Sequence, residues 1–330
     1  MAAPLKVAVL GFWHVHAGDY LRSVRAHPET ELVAVWDADA DRGSMAATQF
    51  DVAFTGDLDA LLAREDIDAV TVTTPTTAHH DVMVKAARAG KHIFTEKLLA
   101  PTVAESEDVI IEADRAGIAL VVSLPRLYEA STLAVLQVLS DGSLGELNYT
   151  RVRLAHDGWV NNWLPERFGN PRESIGGALT DLGCHPAYLT QLFHGAAPIA
   201  VTANYASVTG REVEDNATVT AQFPGGALGV FEASLVTTPG AFTLELHGTR
   251  GSLLFGFGSE KLLAKGDNFD SDRWQEIPLP ARAPDAFGQW IAHIRRGTRA
   301  DENLRAAVEL TRIVVAANRS AELGATVPYI

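Results

Sequence analysis

Residues 5–37 read LKVAVLGFWHVHAGDYLRSVRAHPETELVAVWD, and the fold is decided there. Residues 5–10 are a short apolar run ended by Gly11, residues 32–36 are a second ended by Asp37, and a helical pattern lies between them. Strand, helix and strand within about 30 residues make a βαβ unit, because parallel strands need a long crossover. Working outward, further strand-like runs fall at 52–54, 69–73, 92–95 and 119–123. Amphipathic segments at 78–89 and 102–116 separate them, ending at Gly90 and Gly117, where a helix C-cap favours φ > 0. The first third therefore predicts a doubly wound, parallel α/β sheet.

After about Pro125 the rhythm changes. Strand patterns follow in series at 201–207, 217–223, 228–234, 242–247 and 252–255, with turn signals such as Pro224-Gly225-Gly226 between them. Short connections of this kind predict antiparallel pairing. Helical patterns at 285–296 and 302–321 complete an α+β region with an open, mostly antiparallel sheet and helices on one face. The length of 330 residues exceeds what one core usually supports, so we expect two domains, 1–123 and 124–330.

Lys and Arg number 27 against 41 Asp and Glu, and the formal charge of -14 argues against nucleic acid or anionic membrane as a partner. A single cysteine, Cys184, excludes an internal disulfide framework and any multi-cysteine metal centre. No run approaches the roughly 20 apolar residues of a membrane span. The first residues lack the basic region and cleavage site of a signal peptide, so a cytoplasmic location is expected.

Gly11 stands where a tight turn lets a helix N-terminus face a pyrophosphate. The usual G-x-G-x-x-G is broken, since its second and third glycine positions are Trp13 and His16. Gly11, Phe12, Trp13 and His14 are the expected diphosphate contacts, and the Trp13 side chain has to turn away or divert the cofactor. Asp37 lies where a carboxylate accepts hydrogen bonds from the adenosine ribose and repels a 2′-phosphate, favouring NAD over NADP. Its alternative role is to cap the helix starting near Asp39. Thr74-Pro75 closes the fourth strand, and Thr74, Pro75 and His79 are expected beside the nicotinamide half, His79 with packing or capping as its alternative. His14 and His16 either line the same site or are polar residues at a helix start.

Glu96-Lys97 follows the fifth strand at the same edge of the sheet. A partly desolvated lysine beside a cationic ring can exchange a proton with a substrate hydroxyl, whereas most isolated Glu-Lys pairs are surface ion pairs. In the run Gly176 to His185, Asp181 and His185 are four apart and share a face if the segment is helical. Such a pair suits acid/base work or hydroxyl orientation. The spacing also suits zinc, but no third ligand is evident and hydride transfer needs none, so no metal is expected.

Together, Gly11, Asp37, Thr74-Pro75 with His79, Glu96-Lys97 and the Gly177 to His185 run resemble the glucose-fructose oxidoreductase, inositol dehydrogenase and MocA family across essentially the whole chain. Val122 to Leu127, with Arg126, also looks like the family's segment leading into its second domain. The resemblance implies a Rossmann domain followed by an α+β domain whose open sheet mediates homodimers or homotetramers. It implies an NAD-dependent oxidoreductase moving a hydride between nicotinamide and a hydroxyl or keto carbon of a sugar, cyclitol or related polyol. Lys97 matches the family's catalytic lysine, Asp181 its substrate-pocket aspartate and His185 its acid/base histidine, with Glu96 on the cofactor side. Leu98 departs from the family's Glu-Lys-Pro, as Trp13 and His16 depart from its glycine motif.

For substrate, Arg126 and the loop Asp157 to Trp163 are the candidates. Trp159 and Trp163 can stack on a sugar ring and Asn162 can bond its hydroxyls; two loop indoles can equally plug a domain interface. Rival readings are an NAD-dependent redox glycoside hydrolase or lyase of the same family and a non-catalytic nucleotide-binding sensor.

Overall fold

A computed structural model describes residues 3–330. The first stretch alternates strands and helices: β1 (Leu5–Leu10), α1 (Ala17–Ala26), β2 (Thr30–Trp36), α2 (Ala40–Phe50), β3 (Phe54–Thr55), α3 (Leu58–Leu62), β4 (Ala69–Val72), α4 (His79–Arg88), β5 (His92–Thr95), α5 (Val103–Ala116) and β6 (Leu120–Val122). The strands form a 6-stranded parallel sheet in the order β3-β2-β1-β4-β5-β6. Val7, Ala8, Val9, Leu10, Val70 and Ile93 are fully buried, as both faces of a parallel sheet require. The order reverses between β1 and β4, and the crevice outside their carboxyl ends is where doubly wound sheets bind ligands. A complete capping box of Thr102 and Glu105 starts α5, and Gly117 at φ 66 ends it.

The rest of the chain forms α6 (Ala130–Ser140), β7 (Leu147–Ala155), α7 (Pro171–Ser174), α8 (Cys184–His194), β8 (Ala200–Ala206), β9 (Asn216–Gln222), β10 (Leu228–Ser234), β11 (Ala241–Gly248), β12 (Gly251–Phe255), β13 (Leu262–Gly266), β14 (Gln275–Ile277), α9 (Ala286–Arg296), α10 (Asp301–Leu323) and β15 (Val327–Pro328). A 9-stranded sheet runs β14-β13-β12-β11-β7-β10-β9-β8-β15. It is antiparallel except for β7 beside β10. This agrees with the mostly antiparallel sheet expected from the sequence. β10 returns to β7 after a long excursion through α8, β8 and β9, which frees it from hairpin geometry. Val152, Leu154, Phe231, Ala233, Leu244 and Leu246 are buried on one face of this sheet. On the other face Arg151 pairs with Glu232 at 2.7 Å and His247 with Glu245 at 3.0 Å.

Two compact units result: Met1–Leu124 with Asp285–Thr311, and Pro125–Pro284 with Arg312–Ile330. Helix α9, which the sequence reading grouped with the second region, belongs to the first. Fully buried Trp290 donates to the Ala119 carbonyl at 3.3 Å, and the Phe287 and Trp290 rings lie 5.5 and 5.7 Å from Phe94. Asn303 exchanges both amide hydrogen bonds with the backbone of Val122, at 2.8 and 2.9 Å, closing the open edge of β6.

Candidate functional site

In the first unit the carboxyl ends of β1 and β4 are sewn together at Gly11. This residue has φ +89, and a Cβ there would stand 2.8 Å from the Thr74 backbone nitrogen, so the turn and the close approach both demand glycine. The Gly11 N–H reaches the Trp36 carbonyl at 2.7 Å and the His14 N–H the Thr73 carbonyl at 3.1 Å. Trp13 is only 3% exposed and its ring turns into the protein, which resolves the conflict its sequence position posed. Phe12 stacks on Phe50 in the cluster around Val9, Leu21 and Val35, so its ring is taken up in packing.

Asp37 is buried, and protein donors meet both of its oxygens. Oδ2 accepts from the Phe12 N–H at 2.6 Å and Arg42 Nε at 2.8 Å; Oδ1 accepts from the Asp39 N–H at 2.8 Å and Arg42 Nη2 at 2.6 Å. The cap of α2 is Asp39, which accepts from the Arg42 N–H at 3.0 Å, so the capping alternative for Asp37 is set aside. A ribose diol reaching Asp37 has to displace the Arg42 guanidinium, the one partner on a long side chain. Sequence reasoning passed over Arg42, although an arginine in the first turn after such an aspartate is a readable signal.

At β4, Thr74 is buried with an Oγ1 that no residue satisfies among those described, a polar atom suited to a ligand, and Pro75 is half-buried beside it. His79 has the packing role that stood as its alternative: it is fully buried, with Nδ1 2.7 Å from the Leu98 carbonyl and Nε2 3.1 Å from the Thr74 carbonyl, so it ties the β4 turn to the segment after Lys97. Burial holds its imidazole below the ordinary value.

Glu96 is buried too. Its Oε1 meets His16 Nδ1 at 2.8 Å and the Tyr20 hydroxyl, and its Oε2 accepts the Lys97 N–H at 3.0 Å. Burial alone would raise this carboxyl, but the His14 and His16 imidazoles and Lys97 outweigh it and hold Glu96 well below the usual carboxylate range. Tyr20, which the sequence did not single out, also lies 2.7 Å from Ser123 Oγ. Donor atoms of His14, His16 and Glu96 fall within 4.8 Å of one another, a separation a metal ion can bridge. The hydrogen bonds from His16 and Tyr20 already satisfy Glu96 Oε1, so the cluster holds together as a hydrogen-bonded network. Lys97 is 5% exposed at the end of β5, which rules out a surface ion pair for Glu96-Lys97.

In the second unit, three consecutive amides of the glycine-rich turn close on one residue. Glu214 takes the Gly177 N–H on Oε2 and the Leu179 N–H on Oε1, both at 2.9 Å, while its backbone carbonyl takes the Ala178 N–H at 2.8 Å. A Cβ on Gly177 would stand 1.9 Å from that carbonyl oxygen, which is why the position is glycine. Burial raises the Glu214 carboxyl, and the Leu179 and Gly177 amides oppose the shift. From this turn a π-helical stretch, Leu179–Gly183, leads into α8. Such wide turns recur at functional sites. Asp181 is half-buried within it and His185 is 7% exposed in the first turn of α8, so the pair straddles a change of helix type rather than one regular α-turn. His185 Nδ1 lies 3.0 Å from Tyr188 Oη, which accepts the Arg126 N–H at 3.1 Å.

Of the four substrate candidates, two are engaged within the unit and two are exposed. The Arg126 guanidinium is committed within the unit, 3.0 Å from Glu129 and 3.8 Å from the centre of the Phe242 ring. Trp159 is buried beneath Arg211, 4.6 Å away, and is a plug rather than a stacking platform. Trp163 is 51% exposed and Asn162 is exposed at φ 54. Asp157 ties their loop, accepting from Trp163 Nε1 at 3.0 Å and Asn161 Nδ2 at 2.7 Å.

A βαβ turn at Gly11, an acidic residue after β2 and a buried lysine after β5 fit a dinucleotide, and they define a nucleotide-binding oxidoreductase of the doubly wound class. The comparisons agree. Residues 5–124 match the family model described as "Oxidoreductase family, NAD-binding Rossmann fold", and residues 132–254 match that of the "GFO/IDH/MocA C-terminal domain". The chain is 28% identical over 232 residues to 1,5-anhydro-D-fructose reductase of Ensifer adhaerens, covering 68% of each chain. It is 27% identical over 287 residues to scyllo-inositol 2-dehydrogenase (NAD(+)) of Bacillus subtilis (strain 168), covering 82% of this chain and 80% of that one. Among solved structures, GenD2 from gentamicin A biosynthesis in complex with NAD superposes with a TM-score of 0.83 at 25% identity, covering 99% of this chain and 97% of that one. The chain belongs to the Gfo/Idh/MocA family of oxidoreductases, and NAD is its cofactor.

Proposed function

We propose that this chain transfers a hydride between NAD and a hydroxyl or keto carbon of a sugar, cyclitol or related polyol. The first unit holds the cofactor and residues from Pro125 onward recognise the substrate. The observation that carries the reading is Lys97, a buried lysine at the carboxyl edge of a nucleotide-binding sheet, 5% exposed and backed by an ionised Glu96. The named activities of the sugar reductase and inositol dehydrogenase relatives support the substrate class.

Bound NAD supplies the hydride acceptor or donor. Lys97 and His185 handle the substrate proton, Asp181 helps hold the substrate hydroxyls, and Glu96 keeps Lys97 in place through its backbone amide. Trp163 and Asn162 offer an exposed ring and amide to the sugar, and the Arg126 backbone anchors Tyr188 behind His185. The working form is a cytoplasmic homodimer or homotetramer joined through the outer face of the 9-stranded sheet, where the half-buried pairs Arg151–Glu232 and His247–Glu245 offer polar contacts.

Purified protein incubated with NAD and a panel of free polyols tests the reading through NADH absorbance. Net NADH from a free polyol is the expected result. Cleavage of glycosides without net NADH would replace it with redox hydrolysis, and nucleotide binding with neither would leave a sensor. Light scattering of the same sample checks the assembly.

A further inference from the structure

Tyr188 has one O–H and two polar neighbours, the Arg126 N–H at 3.1 Å and His185 Nδ1 at 3.0 Å. The amide can only donate, so it occupies a lone pair of the phenol oxygen. The residue is 2% exposed, and an O–H left unmade there would cost about 1–3 kcal/mol. Burial pushes Tyr188 well above the ordinary phenol value, so the proton stays on oxygen. One acceptor remains for it, His185 Nδ1, and the two rings meet edge-on at 77°. A neutral imidazole that accepts at Nδ1 carries its proton on Nε2.

We propose that Tyr188 is a positioning residue that fixes neutral His185 as the Nε2–H tautomer, so that His185 meets a substrate oxygen as a hydrogen-bond donor. The inference rests on the substrate-facing role given to His185 above and specifies which ring nitrogen carries the proton.

Selective 15N labelling of histidine with long-range 1H–15N correlation spectra, recorded above the His185 titration, reads both ring nitrogens; His185→Gln identifies the signals. The expected wild-type spectrum shows Nδ1 bare and Nε2 protonated, and Tyr188→Phe is expected to lose this single-tautomer pattern. A wild-type His185 protonated at Nδ1 overturns the proposal, even where Tyr188→Phe does not fold. This readout needs no turnover, so it stands apart from the fate of the polyol assay.

Discussion

At Gly11 the chain adopts φ +89 and is met by Thr74 from the next strand of its own sheet. At Gly177 no left-handed backbone is involved, and the glycine is fixed by a carbonyl oxygen 37 residues further along. The first turn is a local device of one βαβ unit, and its neighbours follow from the order of strands. The second exists only after the larger sheet has brought Glu214 under the start of the π-helical stretch. A nucleotide loop of this kind tolerates Trp13 and His16, since its geometry is set by strand ends; the histidine-bearing helix depends on one distant acidic residue.

The sharpest way to break this contrast is Gly177→Ala. A methyl group against the Glu214 carbonyl is expected to cost about 3 kcal/mol or more, seen as a large fall in melting temperature and loss of activity. Gly11→Ala should cost less, since its Cβ would stop 2.8 Å rather than 1.9 Å from the nearest backbone atom, adding to about 1–3 kcal/mol of backbone strain, and show partly as weaker NAD binding. If the two variants behaved alike in thermal melts, the local and distant turns would not differ as described. Next in size, Lys97→Ala should lower turnover by about 10²–10⁴-fold while NAD affinity by fluorescence titration changes little. Turnover equal to wild type would remove the lysine from the chemistry.

Asp37→Ala sharpens the picture on the nucleotide side. It strips the Arg42 guanidinium of its carboxylate and leaves a positive charge where a 2′-phosphate would sit. The NAD to NADP ratio of kcat/KM should fall by about tenfold, and an unchanged ratio would confine Asp37 to holding Arg42 and the Phe12 amide.

The smallest effect falls on His194, held 3.0 Å from Thr150 Oγ1 and stacked 3.8 Å from Phe223. Burial lowers its imidazole to about 4 from an ordinary 6.5. The unfolded chain therefore takes up more protons between those values, so this contribution to stability is complete above pH 6.5 and is lost as pH falls toward 4. His194→Gln should flatten the melting temperature against pH in that window, and an unaltered slope would assign the acid sensitivity elsewhere, with buried His79 the first alternative.

Much of the first unit was legible because its signals are contiguous. Apolar runs, a terminal glycine and an acidic residue place β1, β2 and the site edge from sequence neighbours alone. What escaped was burial and saturation. Nothing in the spacing says that His79 faces two carbonyls, or that four donors meet Asp37. In the second unit, β7 was missed although Val152 and Leu154 alternate with Arg151 and Arg153, because charged residues on the solvent face mask a strand at the middle of its sheet. Helix α9 showed an apolar stripe but not which core would receive it. Trp159 and Trp163, four residues apart, met opposite fates, since only the first found a cation to cover it.

The larger sheet ends at both margins in a way that stops it growing. On one side β14 is three residues long and carries Glu276; on the other β15 is two residues long and ends in Pro328, which has no N–H to offer a further strand. Stray backbone from a neighbouring molecule therefore finds no template along either rim. Growth of the sheet by an added strand is thereby blocked at both rims by main-chain chemistry alone.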